Sequence, residues 1–234
     1  MPARVSRAES QARTRARLLD AAARVFTARG YEGAAVDEIL AAAGLSKGAF
    51  YANFPSKEAL YLALLDRCLG EQERAMREIF ERERTFAGRI AAIGRWAPAF
   101  MDDPRAWRLL WTDFWLHAAR HPAVQVELAN RYAAQRADIA RLIAAQYDEI
   151  GRQPPLPAPA LAAAATALVN GLIMQQLIDP AAISSDLYAD ALALLLGVDR
   201  QDDAPVQEGQ RAGHGDMARD AAEREEGDQG RVAE

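Results

Sequence analysis

Cysteine occurs once in 234 residues, at Cys68. A lone thiol excludes an internal disulfide and a cysteine-built metal cluster, and within its helical apolar surroundings Cys68 reads as a small buried hydrophobe. Lysine is nearly as scarce, for only Lys47 and Lys57 among the 28 Lys and Arg are lysine. No run alternates apolar and polar residues between turn signals, which excludes a sheet and predicts an all-α chain. The N-terminal stretch has no signal-peptide apolar core, and charged residues are read as interrupting every apolar stretch before it reaches membrane-spanning length. The expectation is a cytoplasmic protein with no membrane partner. Absent too are a Walker loop, a dinucleotide fingerprint, an HExxH pair and a nucleophile elbow, so no enzyme activity, catalytic residue or cofactor is expected. His117 and His121 stand four residues apart, but no motif supplies a third ligand, and no metal is expected.

The net charge of −5 by itself argues against a polyanionic partner. Its distribution reverses that argument. Residues 1–57 hold nine Lys/Arg against five Asp/Glu, whereas residues 200–234 hold five Arg against ten Asp/Glu, so the basic and acidic ends are separate. The acidic end is rich in Gly, Asp, Glu and Arg with few large apolar residues, and is expected to be a disordered tail because burial could not offset its ordering entropy.

Apolar spacing predicts a first helix from Thr14 to Arg29 that Gly30 stops, preceded by a basic arm. A short second helix spans Val36 to Ala43 and ends at Gly44. Ser46 caps a brief third helix, with Leu45 placed to staple onto Phe50. Asn53-Phe54-Pro55 breaks that helix, and Ser56 caps a long fourth one running toward residue 80. Further helices are expected near 86–101, 104–119, 122–150, 157–178 and 184–197. Their cuts come from Asp103-Pro104, His121-Pro122, the proline-rich connector 151–159 and Asp179-Pro180.

Three helices within about fifty residues, the second and third joined by a glycine turn, make a helix-turn-helix whose third member enters the major groove. In Ser46 through Asn53, Phe50 can anchor the helix while Lys47, Gly48, Tyr51 and Asn53 stay available outside. Lys47 sits in the first helical turn, where a cation opposes the helix dipole at a cost of about 0.3–1 kcal/mol. A phosphate or guanine edge nearby would reverse the sign.

Residues 12–72 resemble the DNA-binding domain of the TetR/AcrR family of bacterial transcriptional regulators. The resemblance rests on Thr14, the Leu18, Ala21-Ala22 and Phe26 pattern, Gly30-Tyr31, Val36, Ile39, Ala42 through Gly48, Phe50-Tyr51, Phe54-Pro55 and Ser56 through Leu60. It implies DNA contacts from Thr14, Ala35, Ser46, Lys47, Gly48, Tyr51, Asn53 and Lys57, with Tyr51 and Lys57 on phosphates and Lys47-Gly48 at base edges. Two departures stand out. Ala34 and Ala35 replace the usual Thr or Ser, leaving the second helix without a side-chain cap, a loss of about 0.5–2 kcal/mol. Asn53 replaces a frequent His.

The resemblance further implies that residues 73–199 form a helical domain for ligand binding and dimerisation. Large aromatics collect there, and Trp107, Trp111 and Trp115 fall on one helix face at i, i+4 and i+8. The stripe suits a core and a pocket equally. Read as a pocket, it gives Trp96, Phe100, Trp107, Trp111 and Trp115 as lining, with His117, Tyr132, Asn170 and Met174 as polar or adaptable complement, for a small, hydrophobic effector. Residues 160–178 and 187–196 are apolar on more than one side and so need a second surface, which a homodimer supplies through a four-helix interface. A dimer sets two reading helices about 34–36 Å apart on a near-palindromic operator in double-stranded DNA. The function expected is a repressor released by its effector. Two rivals are a DNA-binding adaptor controlled by a protein partner and a helical enzyme.

Overall fold

The computed structural model describes residues 6–99 and 103–198, with only the backbone at Ser185. The expected acidic tail, 200–234, lies outside the described residues. Among those described there are nine α-helices and no strand: α1 (Arg7–Gly33), α2 (Val36–Ala43), α3 (Lys47–Tyr51), α4 (Lys57–Arg82), α5 (Phe86–Trp96), α6 (Pro104–Arg120), α7 (Pro122–Ile150), α8 (Ala158–Ile178) and α9 (Ser185–Leu195).

The first helix begins seven residues earlier than its apolar spacing predicts, so the residues before Thr14 are helical from Arg7 instead of forming an arm. A capping box starts it. Ser6 Oγ accepts the Glu9 backbone N–H at 3.1 Å, and Glu9 Oε2 accepts the Ser6 N–H at 2.7 Å, which satisfies two orphan donors at once. Gly30 does not end the helix but kinks it, with φ 71°. That conformation suits glycine, and here it also meets a close neighbour, because a Cβ at residue 30 would lie 2.4 Å from Asp113 Oδ2.

Gly44 closes α2 in the left-handed conformation (φ 60°), as its sequence position requires. Helix α5 stops at Trp96 and tightens into a 3-10 turn at Ala97–Ala99. Pro98 explains the stop, since its ring cannot donate to the carbonyl four residues back and crowds it. Helix α4 runs unbroken through residue 72.

Two apolar clusters form the core. Leu18, Ala22 and Phe26 of α1, Ile39 and Leu40 of α2, Phe50 of α3 and Leu60 through Leu65 of α4 join Leu110 and Phe114 of α6. Phe86 and Ile90 of α5, Ile143 and Tyr147 of α7, Leu161 and Ala165 of α8 and Leu192 and Leu196 of α9 make the second. Helices α5 and α9 meet very closely, for a Cβ on Gly94 would lie 2.6 Å from the Ala189 backbone.

Helix α8 corrects one expectation. Its 21 residues include no Asp, Glu, Lys or Arg, so by length and composition it could cross a membrane. Yet it buries only 22% of its most apolar stretch within the protomer. Ala163, Ala167, Gly171, Met174 and Ile178 are exposed at three- and four-residue spacing, which puts them in one uncovered stripe.

Candidate nucleic-acid interface and effector cavity

Helix α3 projects outward on a single apolar anchor. Phe50 is fully buried, Tyr51 stands edge-on against it at 5.1 Å and is itself 61% exposed, and Ser46, Lys47 and Gly48 are all exposed. Ser46 Oγ accepts the Ala49 N–H at 3.3 Å and caps the helix. Lys47 Nζ lies 3.0 Å from Asp37 Oδ1 in the first turn of α2, and both side chains are largely in solvent. Such a pair contributes little to stability, so the ammonium is readily exchanged to another anion.

Asn53 is placed differently from the sequence expectation. It is half-buried, and its Nδ2 donates back to Ala49 O at 2.8 Å, so the side chain ties off the end of α3 instead of pointing outward. Its Oδ1 is buried with no hydrogen-bond partner. Lys57, expected on a phosphate, donates from Nζ to Tyr31 O (2.9 Å) and Ala34 O (3.2 Å) and sits 4.5 Å from the Tyr31 ring centre. Two of its three donors therefore bind the end of α1 and the turn that follows it. Thr14 is half-buried within α1, its Oγ1 donating to Ser10 O at 2.9 Å. Ala35 is exposed at the start of α2, and although it has no capping side chain, its N–H donates to Glu38 Oε2 at 3.3 Å. That bond is the half of a capping box that does not need a hydroxyl.

Sequence reading missed the arginines of α1. Arg17 Nη2 donates to Ala43 O (2.6 Å) and Gly44 O (3.5 Å), Arg24 Nη2 to Ala42 O (3.4 Å), and Arg15 Nη1 to Asn53 O (3.3 Å) while lying over the Phe54 ring. A helix C-terminus presents unsatisfied carbonyls with partial negative charge. Guanidinium groups on the carbonyl ends of α2 and α3 therefore lock the turn between them. The available signal was three Arg on one helix opposite two short helices lacking basic last turns.

Behind α3, α6 packs on α1 and α4. Tyr61 stacks on Phe114 with ring centres 3.7 Å apart, and Tyr31 stands edge-on to both. His117, expected in the pocket, is buried in this joint instead. Its Nδ1 donates to Glu32 Oε1 at 2.6 Å, and its Nε2 lies 3.9 Å from Glu58 Oε1. The reason is helical phase: two residues beyond Trp115, His117 is rotated about 200° around α6. Glu58 is held below the ordinary carboxylate range, first by its own backbone N–H at the start of α4 and then by Ser56 and His117.

The opposite face of α6 looks into a cavity of about 1070 Å³ walled by α4 to α9. Trp96, Trp107, Trp111, Trp115, Tyr132, Asn170 and Met174 all line it; Phe100 lies outside the described residues. The rest of the wall is mostly apolar, including Leu69, Met76, Phe80, Ile93, Ile139 and Ile173. Trp111 and Trp115 both donate from Nε1 to the Tyr132 hydroxyl, the latter at 2.7 Å. Burial raises the Tyr132 phenol above its ordinary range, against the opposing effect of the two indole donors. Arg108 also borders the cavity, donating to Pro98 O at 2.7 Å.

Known proteins share both halves of this arrangement. Residues 18–64 match the tetR family of bacterial regulatory proteins, and residues 89–196 match the C-terminal domain of BetI-type transcriptional repressors. The transcriptional activator FasR of Mycolicibacterium smegmatis is 34% identical over 120 residues, which are 50% of this chain and 53% of that one. The transcriptional repressor DhaR of a Mycobacterium species is 40% identical over 67 residues, 29% of this chain and 34% of that one. The chain thus spans about half the length of one curated relative and about a third of the other. A crystal structure of a TetR-family transcriptional regulator from Rhodococcus sp. superposes with a TM-score of 0.63 at 28% identity, covering 79% of this chain and 95% of that chain. With an outward α3 locked onto α1 and both halves matched in sequence and fold, the chain belongs to the TetR family of bacterial regulatory proteins.

Proposed function

We propose that the protein is a cytoplasmic, non-enzymatic transcriptional repressor that binds a near-palindromic operator as a homodimer and leaves it when a small molecule fills the α4–α9 cavity. Residues 12–72 act as the reading head and residues 73–199 as the effector-binding and dimerising body. The observation that carries this reading is the double role of α6. One face holds the head through Phe114 and His117, and the other lines the cavity with Trp107, Trp111 and Trp115. A ligand that moves α6 must move the contacts to α1 and α4, which is the differential interaction that a coupled equilibrium requires.

On DNA, Lys47 and Gly48 meet base edges and Tyr51 a phosphate, flanked by Thr14, Ala35 and Ser46; Asn53 and Lys57 serve by holding α3 and the α1–α2 turn in place. The apolar stripe on α8 and the exposed Leu194 of α9 bury against a second copy, since small residues allow close helix approach and two-fold pairing doubles any self-complementary face. Selection of bound sequences from a random duplex pool with purified protein tests the whole. Enrichment of an inverted repeat with half-sites about one helical turn apart is expected; enrichment of nothing, or of a single half-site, contradicts it.

A further inference from the structure

The cavity's polar groups have a one-sided hydrogen-bonding capacity. Tyr132 Oη already accepts from two indoles, which uses its acceptor sites and leaves only its own proton to give. Arg108 can do nothing but donate. The other guanidinium groups bordering the cavity are matched by carboxylates, Arg77 with Glu73, Arg131 with Asp66 and Glu127, and Arg141 with Asp138. Among the described residues Arg108 has no carboxylate partner, only the Pro98 carbonyl. It lies one helical turn before Trp111 and Thr112 on the same face of α6, and Trp111 in turn donates to Tyr132, so the unmatched cation and the spare phenolic proton border the same cavity. A half-buried cation beside apolar walls is costly unless something anionic meets it.

Accepting the cavity as the effector site, we infer that the effector is an amphipathic monoanion: a carboxylate head that takes donors from Arg108 and Tyr132, and an apolar body that lies along Leu69, Met76, Phe80 and Ile139. A volume of about 1070 Å³ sits at the large end of ligand pockets and accommodates a chain of ten or more carbons. The tryptophans would stack a cationic head equally well through cation–π contacts, but the charged group without a partner is an arginine, which opposes that class.

All four tryptophans of the chain line the cavity, so intrinsic fluorescence reads its occupancy directly. The full chain is titrated below micelle concentrations with dodecanoate, dodecan-1-ol and dodecyltrimethylammonium. Dodecanoate should bind at least about tenfold more tightly than the alcohol, the scale of a charge-assisted hydrogen bond, and more tightly than the cation. Arg108→Gln should abolish the preference for dodecanoate over the alcohol, and Arg108→Lys should restore part of it. Tyr132→Phe should weaken dodecanoate several-fold. Equal binding of the three amphiphiles, tighter binding of the cation, or a preference that survives Arg108→Gln overturns the inference. Operator release, measured in parallel, separates it from the functional reading. Anion preference without release supports the head-group chemistry and removes the repressor mechanism; release by the cation alone does the reverse.

Discussion

His117 on α6 donates to Glu32 on α1 across 2.6 Å, 85 residues apart in the chain. The imidazole is buried and the carboxylate is largely in solvent, so one end of the contact is anchored in the body and the other is carried by the reading head. Tyr31 Oη and His117 Nε2 are buried beside it without a hydrogen-bond partner. Unsatisfied buried groups raise the energy of this packing, which leaves an alternative one within reach of a ligand's binding energy. Glu32→Gln and His117→Asn should therefore retain operator binding but reduce its coupling to effector by about 0.5–2 kcal/mol, or roughly 2- to 30-fold in affinity ratio. Operator titrations with and without ligand measure this. An unchanged ratio would show that the signal travels elsewhere, through the Tyr61–Phe114 stack for instance.

Lys47 pairs with Asp37 in the free protein, and in the proposed reading it exchanges that carboxylate for DNA. Lys47→Ala should weaken operator binding about tenfold and nonspecific binding less. Asp37→Asn, which removes the competing carboxylate 3.0 Å away, should tighten both. Gel-shift titrations at two salt concentrations check the pair, and equal losses on operator and random DNA for Lys47→Ala would reduce that residue to a phosphate contact.

Gly171 lies on the open stripe of α8, with nothing within 4 Å of where its Cβ would stand. Gly171→Leu should leave the protomer folded, and even favour the helix by nearly 1 kcal/mol, while blocking close approach of a second α8. Sedimentation velocity should then show a dimer turning to monomer, with operator binding lost in step. A Gly171→Leu protein that still sediments as a dimer would place the interface on another face.

Gly94 is the opposite case. A methyl there would meet Ala189 at 2.6 Å, and backbone cannot yield as a flexible side chain can. Gly94→Ala should push α5 from α9 at a cost of about 1–3 kcal/mol, lowering the melting temperature by roughly 3–10 °C. A melting temperature within a degree of the parent's would mean that the two helices slide apart freely.

Cys68 is buried on α4 with its thiol pushed up to about 12, chiefly by desolvation and secondarily by Glu71. A raised thiol stays protonated where an unfolded one ionises, so native protein at pH 8 should react with a disulfide reagent far more slowly than protein in denaturant. The linkage has a sign as well. The folded state keeps its proton up to a higher pH, so this contribution to stability is intact below about pH 9 and falls away as pH rises toward 12. Rapid labelling of native protein would place the thiol at the surface.

Much of this was legible because it is local. Gly44, Ser46 and Ser56 mark their helix boundaries through contacts within four residues, and the Ser6–Glu9 box could have been read the same way. Phe50, Tyr51 and the tryptophan spacing on α6 likewise place side chains on faces by helical phase alone. Phase says which residues share a face; it does not say what the face meets. The sequence offers His117 as a polar complement to the tryptophans, leaves Asn53 available outside the Phe50 anchor, and through the family resemblance implies a phosphate contact for Lys57. Each is instead held by a partner whose position depends on how whole helices pack.

From its amino acids alone the chain determined its helices, their caps and glycine turns, the outward third helix and the aromatic concentration between residues 96 and 115. Only the tertiary structure decided that α1 arginines tie the carbonyl ends of α2 and α3, that α6 has one face in the head and one in the cavity, that Arg108 lacks a carboxylate among the described residues, and that α8 lies largely uncovered. Hydrogen bonds along a helix are closed by neighbours a turn away and follow from local propensity. Burial and ion pairing join side chains tens of residues apart, and those are set by which surfaces exclude water together.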